Sequence, residues 1–151
     1  MKEDKLRAAI LLGAELMVEH GLSDWKLDIV NKRTTLGETY YRTKTIELSQ
    51  RFIIVSTKDE FRETMLHEIA HALIGPGYAH GPVFVEKCLA IGGNPESSGD
   101  ITIRSYLYRC ENCGTAGGHN RVIDAYCKKC FDKGIYAKLI GEKNKIEVRS
   151  W

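Results

Sequence analysis

The stretch MLHEIAHALIGPGYAHGPVF, Met65 to Phe84, places three histidines and one glutamate within fourteen residues. Residues four apart share one face of an α-helix, so His67 and His71 can direct two imidazoles at one ion. Glu68 is offset by one position and reaches beside that ion rather than onto it. Such an arrangement suits a hydrolytic zinc site, where nitrogens hold the ion and the carboxylate moves a proton from water to a leaving amine. Leu66, Ile69, Ala70 and Leu73 form an apolar stripe that can anchor the helix. A catalytic zinc needs a third protein ligand and an open position. His80 is the expected third ligand, because Gly75, Pro76 and Gly77 turn the chain back just before it. Glu86, on the helix that follows, is the competing ligand.

Working outward, Thr57 followed by Glu60 has capping-box spacing and predicts the start of the histidine helix. Gly75 to Gly77 predicts its end. Pro82 stands at a permitted first-turn position for a second helix running to Ile91. Upstream, Leu6, Ala9, Ile10, Gly13, Leu16 and Met17 recur at three- and four-residue spacing, so the first twenty residues read as an amphipathic helix stopped by Gly21. His20 falls in its last turn, where a cation suits the helix dipole. Trp25, Leu27 and Ile29 alternate with Lys26, Asp28 and Val30, the pattern of a half-buried strand. Further strands are expected at Glu38 to Arg42 and Thr45 to Ser49, together forming a small antiparallel meander. The predicted class is α+β, with an N-terminal helix, a short antiparallel or mixed sheet, and the two helices around the histidines.

Beyond GGNPESSG, Gly92 to Gly99, short strands, paired cysteines and basic residues take over. Two domains are therefore expected, over 1–95 and 96–151. Cys110, Cys113, Cys127 and Cys130 form CxxC, thirteen intervening residues, and CxxC again. Two such knuckles can close four thiolates around zinc with no open position, which makes this a structural site. Gly114 eases the first knuckle, and strands at Ile101 to Tyr108 and Ile135 to Ile140 complete a zinc ribbon. Cys88 reads as a buried, inert thiol and His119 as loop surface.

The composition, 43% hydrophobic and 28% charged over 151 residues, is that of a globular chain and argues against disorder. The apolar run Ala8 to Ala14 is bracketed by Glu3, Asp4 and Glu15 and lacks a cleavage site, and no stretch is long enough to span a bilayer. A soluble, cytoplasmic protein without a membrane partner is expected, monomeric by default, and a reducing setting favours cysteines as ligands over disulfides. The net charge of +2 is uneven: from Ile101 onward ten Lys or Arg face five Asp or Glu, against twelve and fifteen before it. Metal-bound thiolates temper that basic tail, leaving a weak pull on anionic partners.

HEIAHALIGPGYAHGPVF resembles the active-site signature of SprT-like metalloproteases, the zincin family that includes Spartan. There HExxH is followed after a short loop by a third histidine in an HGxxF context, matched here by His67, Glu68, His71, His80, Gly81 and Phe84. LGETYYRTKTIELS upstream resembles the family's strand segment, so the resemblance runs from the first helix through the cysteine module. It implies a small zincin fold over 1–95 and a zinc-dependent endopeptidase in which His67, His71 and His80 hold the catalytic zinc and Glu68 is general base, then general acid. By analogy Thr45 to Ser49 is the expected sheet edge along which a protein substrate lies; Tyr78 or Tyr106 could assist as an oxyanion donor, but the sequence places neither and both stay outside the catalytic set. A second, structural zinc belongs in the C-terminal module. In Spartan-like proteins that region helps hold DNA. Here Arg104, Tyr106, Tyr108, Arg109, Arg121, Tyr126, Lys128 and Lys129 offer cations and aromatic faces for phosphates and unstacked bases, single-stranded DNA above all. Substrates bound or crosslinked to DNA are the corresponding expectation. Two other functions stay open: a nucleic-acid-binding module with two zinc sites and little hydrolysis, and metal-dependent hydrolysis of a non-protein substrate.

Overall fold

A computed structural model describes residues 1–96 and 103–151. The expected linker Gly92 to Gly99 and the strand expected from Ile101 therefore lie partly outside the described residues. Eleven elements are described: α1 (Lys2–Glu19), β1 (Lys26–Val30), β2 (Gly37–Tyr40), β3 (Thr45–Ser49), α2 (Gln50–Val55), α3 (Lys58–Ile74), α4 (Pro82–Ala90), β4 (Tyr106–Cys110), β5 (Ala116–His119), α5 (Lys128–Phe131) and β6 (Leu139–Lys143). The class is α+β, as expected.

The first sheet has the order β1-β3-β2. β2 and β3 form an antiparallel hairpin pairing Thr39 with Ile46, whereas β1 runs parallel to β3 on its far side, pairing Leu27 with Ile46. The expected antiparallel meander is thus corrected. Alternation in β1 marks which side chains are inward, and it is the same whichever neighbour the strand takes. β3 takes the centre and is the most buried of the three, with Ile46 and Leu48 fully enclosed. The expected substrate-binding edge at Thr45 to Ser49 is corrected with it: both sides of β3 are paired, and the open edge nearest the histidine helix is β2.

α2 follows β3 without a loop and is a helix the apolar pattern does not announce. Ser49 caps it, its hydroxyl accepting from the Phe52 backbone N–H at 3.4 Å. Thr57 and Glu60 close the capping box of α3, with Glu60 Oε2 accepting from the Thr57 N–H at 2.7 Å. Gly75, at φ 80°, ends α3 in the left-handed region where a side chain is strained. The main core joins Ala9, Leu16 and Met17 of α1, Ile46 and Leu48 of β3, Phe52 and Ile53 of α2, and Phe61, Met65, Leu66 and Ile69 of α3.

The cysteine module forms a second antiparallel sheet, β5-β4-β6, with α5 carrying the second knuckle. β6 begins later than the Ile135 to Ile140 strand the pattern predicts, because residues 135–138 wrap the knuckle first. The Cys127 N–H donates to Ala137 O at 2.8 Å and the Ile135 N–H to Cys130 O at 2.9 Å. The module is tied to the first core at several points. Ile103 is fully buried in that core. The Arg149 N–H donates to Ile54 O at 2.9 Å, and the Trp151 ring packs 4.9 Å from Phe61 while its Nε1 donates to Ser56 O at 3.1 Å.

Candidate metal centre

α3 carries His67 and His71 one turn apart, and the turn after Gly75 returns His80 to the same point. His67 Nε2 and His71 Nε2 each lie 3.1 Å from His80 Nε2. A tetrahedral zinc with bonds of about 2.05 Å spaces its nitrogens about 3.3 Å apart, so the three imidazoles fit that ion. Their chemistry agrees. His67 Nδ1 is 2.9 Å from Asn94 O, and because a carbonyl only accepts, Nδ1 carries the proton and Nε2 keeps its lone pair for a metal. Burial, then the neighbouring His67 and His80, hold the His71 pKa down at about 4, and burial lowers that of His67. Neutral imidazoles are what a metal needs. Glu86 is exposed and stands outside the cluster.

Phe84 forms the floor. It is fully buried, stacked on His71 at 4.2 Å between ring centroids, with His67 at 4.7 Å and His80 at 4.9 Å. The aromatic of the HGxxF pattern thus sets the ring orientations from below, on α4.

Glu68 is 6% exposed, lines the same cleft as the three histidines and meets the sheet through one carboxyl oxygen. The Thr39 hydroxyl on β2 donates to its Oε2 at 2.7 Å. Burial pushes the Glu68 pKa up to about 7, with the Thr39 hydrogen bond working against the shift. A carboxyl with that poise can take and return a proton near neutrality.

In the ribbon, Cys110 Sγ lies 3.7 Å from Cys130 Sγ, and Cys113 Sγ 3.7 Å from Cys127 Sγ. That is far beyond the roughly 2.05 Å of a disulfide. It matches the spacing of about 3.8 Å set by a tetrahedral zinc with bonds of about 2.3 Å. The backbone N–H groups of Asn112 and Cys113 both donate to Cys110 Sγ at 3.4 Å, closing the first knuckle around that sulfur. Among the described residues two separate candidate metal sites therefore exist, one three-histidine and one four-cysteine.

A cleft of about 1810 Å³ lies between them, lined by His67, Glu68, His71 and His80 on one side and by Arg109, Cys113 and Glu142 of the ribbon on the other. Neither Tyr78 nor Tyr106 lines it, whereas Tyr41, which the sequence does not single out, does. The expected nucleic-acid residues divide. Tyr108 is buried, accepts from the Ile123 N–H at 2.8 Å and packs against Gly141, so its faces are spent inside the ribbon. Tyr106 is half-buried. Arg104 reaches Thr34 O at 3.5 Å, Arg109 donates to Gly114 O at 3.1 Å, and Lys128 pairs with Asp132 at 3.0 Å. Arg121 and Lys129 are exposed. Tyr126, 50% exposed, meets Tyr136 edge-on at 6.1 Å, and Tyr136 meets Phe131 at 5.5 Å. Phe131 and Tyr136 went unselected in the sequence because an isolated aromatic carries no sign of being outside. Among the described residues no helix is long and apolar enough to cross a membrane.

Comparison with known proteins agrees with this geometry. The SprT-like family model matches residues 9–105, which hold α3 with His67 and His71, the turn with His80, α4 and the first sheet. A protein named "Protein SprT-like" from Oceanobacillus iheyensis is 29% identical over 108 residues, 65% of this chain and 72% of that relative. No solved structure matches. The three converging histidines, the adjoining glutamate and the matched span together place this chain in the SprT-like family.

Proposed function

We propose that the protein is a zinc-dependent endopeptidase, with His67, His71 and His80 as ligands of the catalytic zinc and Glu68 as the general base. The observation that carries this reading is the convergence of three imidazole nitrogens at 3.1 Å beside a buried carboxyl whose pKa stands at about 7. Bound zinc would supply Lewis acidity, polarising the scissile carbonyl and acidifying water. Glu68 takes the proton of the attacking water at its carboxylate as the water oxygen adds to the carbonyl carbon. It then hands that proton to the departing amine nitrogen as the C–N bond breaks. Phe84 and the Asn94 carbonyl hold the imidazoles in place, and the Cys110, Cys113, Cys127 and Cys130 set holds a structural zinc. Protein substrates enter between β2 and the ribbon, in the cleft that both line.

The ribbon's outer face supports a second element of the proposal, contact with single-stranded DNA that brings the enzyme to DNA-bound or DNA-crosslinked proteins. Tyr126, Phe131 and Tyr136 are exposed in one cluster, Lys138 Nζ lies 5.9 Å over the Tyr126 ring, and Lys128 and Lys129 are exposed. Aromatic faces beside cations suit unstacked bases and phosphates.

Cleavage of a DNA-binding protein and of casein, with and without single-stranded DNA, tests both elements when wild type is compared with Glu68→Gln at verified zinc content. DNA-stimulated cleavage lost in the variant is expected. Two zinc ions per chain with no cleavage by wild type under any condition would overturn the endopeptidase reading and favour a binding module.

A further inference from the structure

Glu68 is gripped from the sheet side by the open edge strand. Thr39 Oγ1 lies 2.7 Å from Glu68 Oε2 and 3.0 Å from the Glu68 backbone oxygen. A hydroxyl has a single proton, and the shorter contact, to the group able to carry charge, takes it. Thr39 is itself held by the sheet, since β2 pairs it with the fully buried Ile46. Side chains alternate along β2, so Thr39 and Gly37 share the face toward α3. Glu38 and Tyr40 take the opposite face, where Lys32 Nζ binds both, at 2.6 and 2.7 Å.

Gly37 completes the cradle by having no side chain. A Cβ there would stand 2.9 Å from Glu68 Cγ and 3.0 Å from Oε1. Among the described residues Oε1 accepts no hydrogen bond, so the two oxygens of one carboxyl are in different situations: one tethered, one free.

We propose that Thr39 is a positioning residue for peptide hydrolysis, fixing Oε2 so that Oε1 is the oxygen that exchanges the proton, with Gly37 supplying the clearance. This rests on Glu68 being the general base. An untethered carboxyl rotates about its Cγ–Cδ bond and presents either oxygen at varying distance, and proton transfer is sensitive to that distance. The tether also joins the base to the strand beside which substrate enters.

The test compares wild type, Thr39→Val, Thr39→Ala and Thr39→Ser, each as the full zinc-loaded chain, by kinetics and by the 13C resonance of the Glu68 carboxyl at one pH. That resonance is assigned by its absence from Glu68→Gln. Valine keeps the shape and removes the hydroxyl; serine keeps the hydroxyl. Thr39→Val and Thr39→Ala should lower kcat about 10- to 100-fold, as loss of a partner behind a metal-site group does, with KM, zinc content and melting temperature near wild type. The carboxyl resonance should move in both, and Thr39→Ser should restore rate and resonance together. Wild-type kcat and an unmoved resonance in Thr39→Val would overturn the proposal. So would a rate loss that serine fails to rescue, or one that occurs with the resonance unmoved. Should wild type cleave nothing, the endopeptidase reading fails on its own and Thr39 loses its catalytic purpose. The resonance would then report whether the tether exists as a structural contact.

Discussion

Phe84→Ala is the perturbation that most directly probes how the three histidines are held. The ring is fully buried and faces all three imidazoles at centroid distances of 4.2 to 4.9 Å. Truncating such a phenylalanine removes its transfer energy and leaves a cavity, a cost of about 3–5 kcal/mol. In a chain of this length each kcal/mol lowers the melting temperature by about 2–4 °C, so a fall of roughly 6–20 °C is expected. The same substitution frees the imidazoles to rotate and should weaken zinc at the histidine site about 10- to 100-fold, while zinc at the four cysteines stays as tight as in wild type. Phe84→Leu keeps most of the apolar volume and should cost on the order of 1 kcal/mol. The assay is thermal unfolding followed by circular dichroism, alongside zinc competition against a chelator of graded strength that resolves the two sites. A melting temperature within about 3 °C of wild type, together with unchanged affinity at both sites, would refute the view of Phe84 as a packed floor.

Other consequences are equally direct. Cys113→Ser should leave one zinc per chain where wild type should hold two, and His71→Ala should leave the other one; metal analysis after dialysis decides, and a variant retaining both ions would sink the two-site assignment. Gly141→Ala drives a methyl group into the Tyr108 ring, so the ribbon should lose about 1–3 kcal/mol and bind its zinc more weakly, as read by chelator competition. Lys32→Met removes a cation lying 2.6 Å from both Glu38 and Glu47. Its partner Glu38 has a pKa lowered below 4.5, first by the Lys32 hydrogen bond. Stability from that pairing is therefore present above pH 4.5 and lost as pH falls through the folded value. Wild type should exceed Lys32→Met by about 1 kcal/mol at pH 7, a modest figure because solvent screens the pair. The gap should close in urea titrations carried below the folded Glu38 pKa; a gap that persists once Glu38 is protonated would assign it to packing instead.

The two candidate ligand clusters were legible in the residues because each is written locally. His67 and His71 lie one helical turn apart, each cysteine pair closes its own knuckle, and Thr57 with Glu60 announces the helix that carries the histidines. His80 was legible through the glycine-rich turn that brings it back. These relations span a few residues, and backbone geometry alone converts them into proximity.

Tertiary structure decided the rest, because it depends on partners far apart in the chain. Alternation in β1, β2 and β3 is satisfied by any order of neighbours, so it could not place β3 in the centre or leave β2 as the edge. Glu68 finds Thr39 across 29 positions, and His67 finds the Asn94 carbonyl across 27. A backbone carbonyl has no residue identity to reveal such a role, and a threonine in a strand looks like any other. Tyr108 shows the converse: its residue type suits a base-stacking surface, yet packing against Gly141 puts it inside the ribbon. Side-chain chemistry states what a residue can do; which neighbour it does it with depends on burial, and burial belongs to the whole fold.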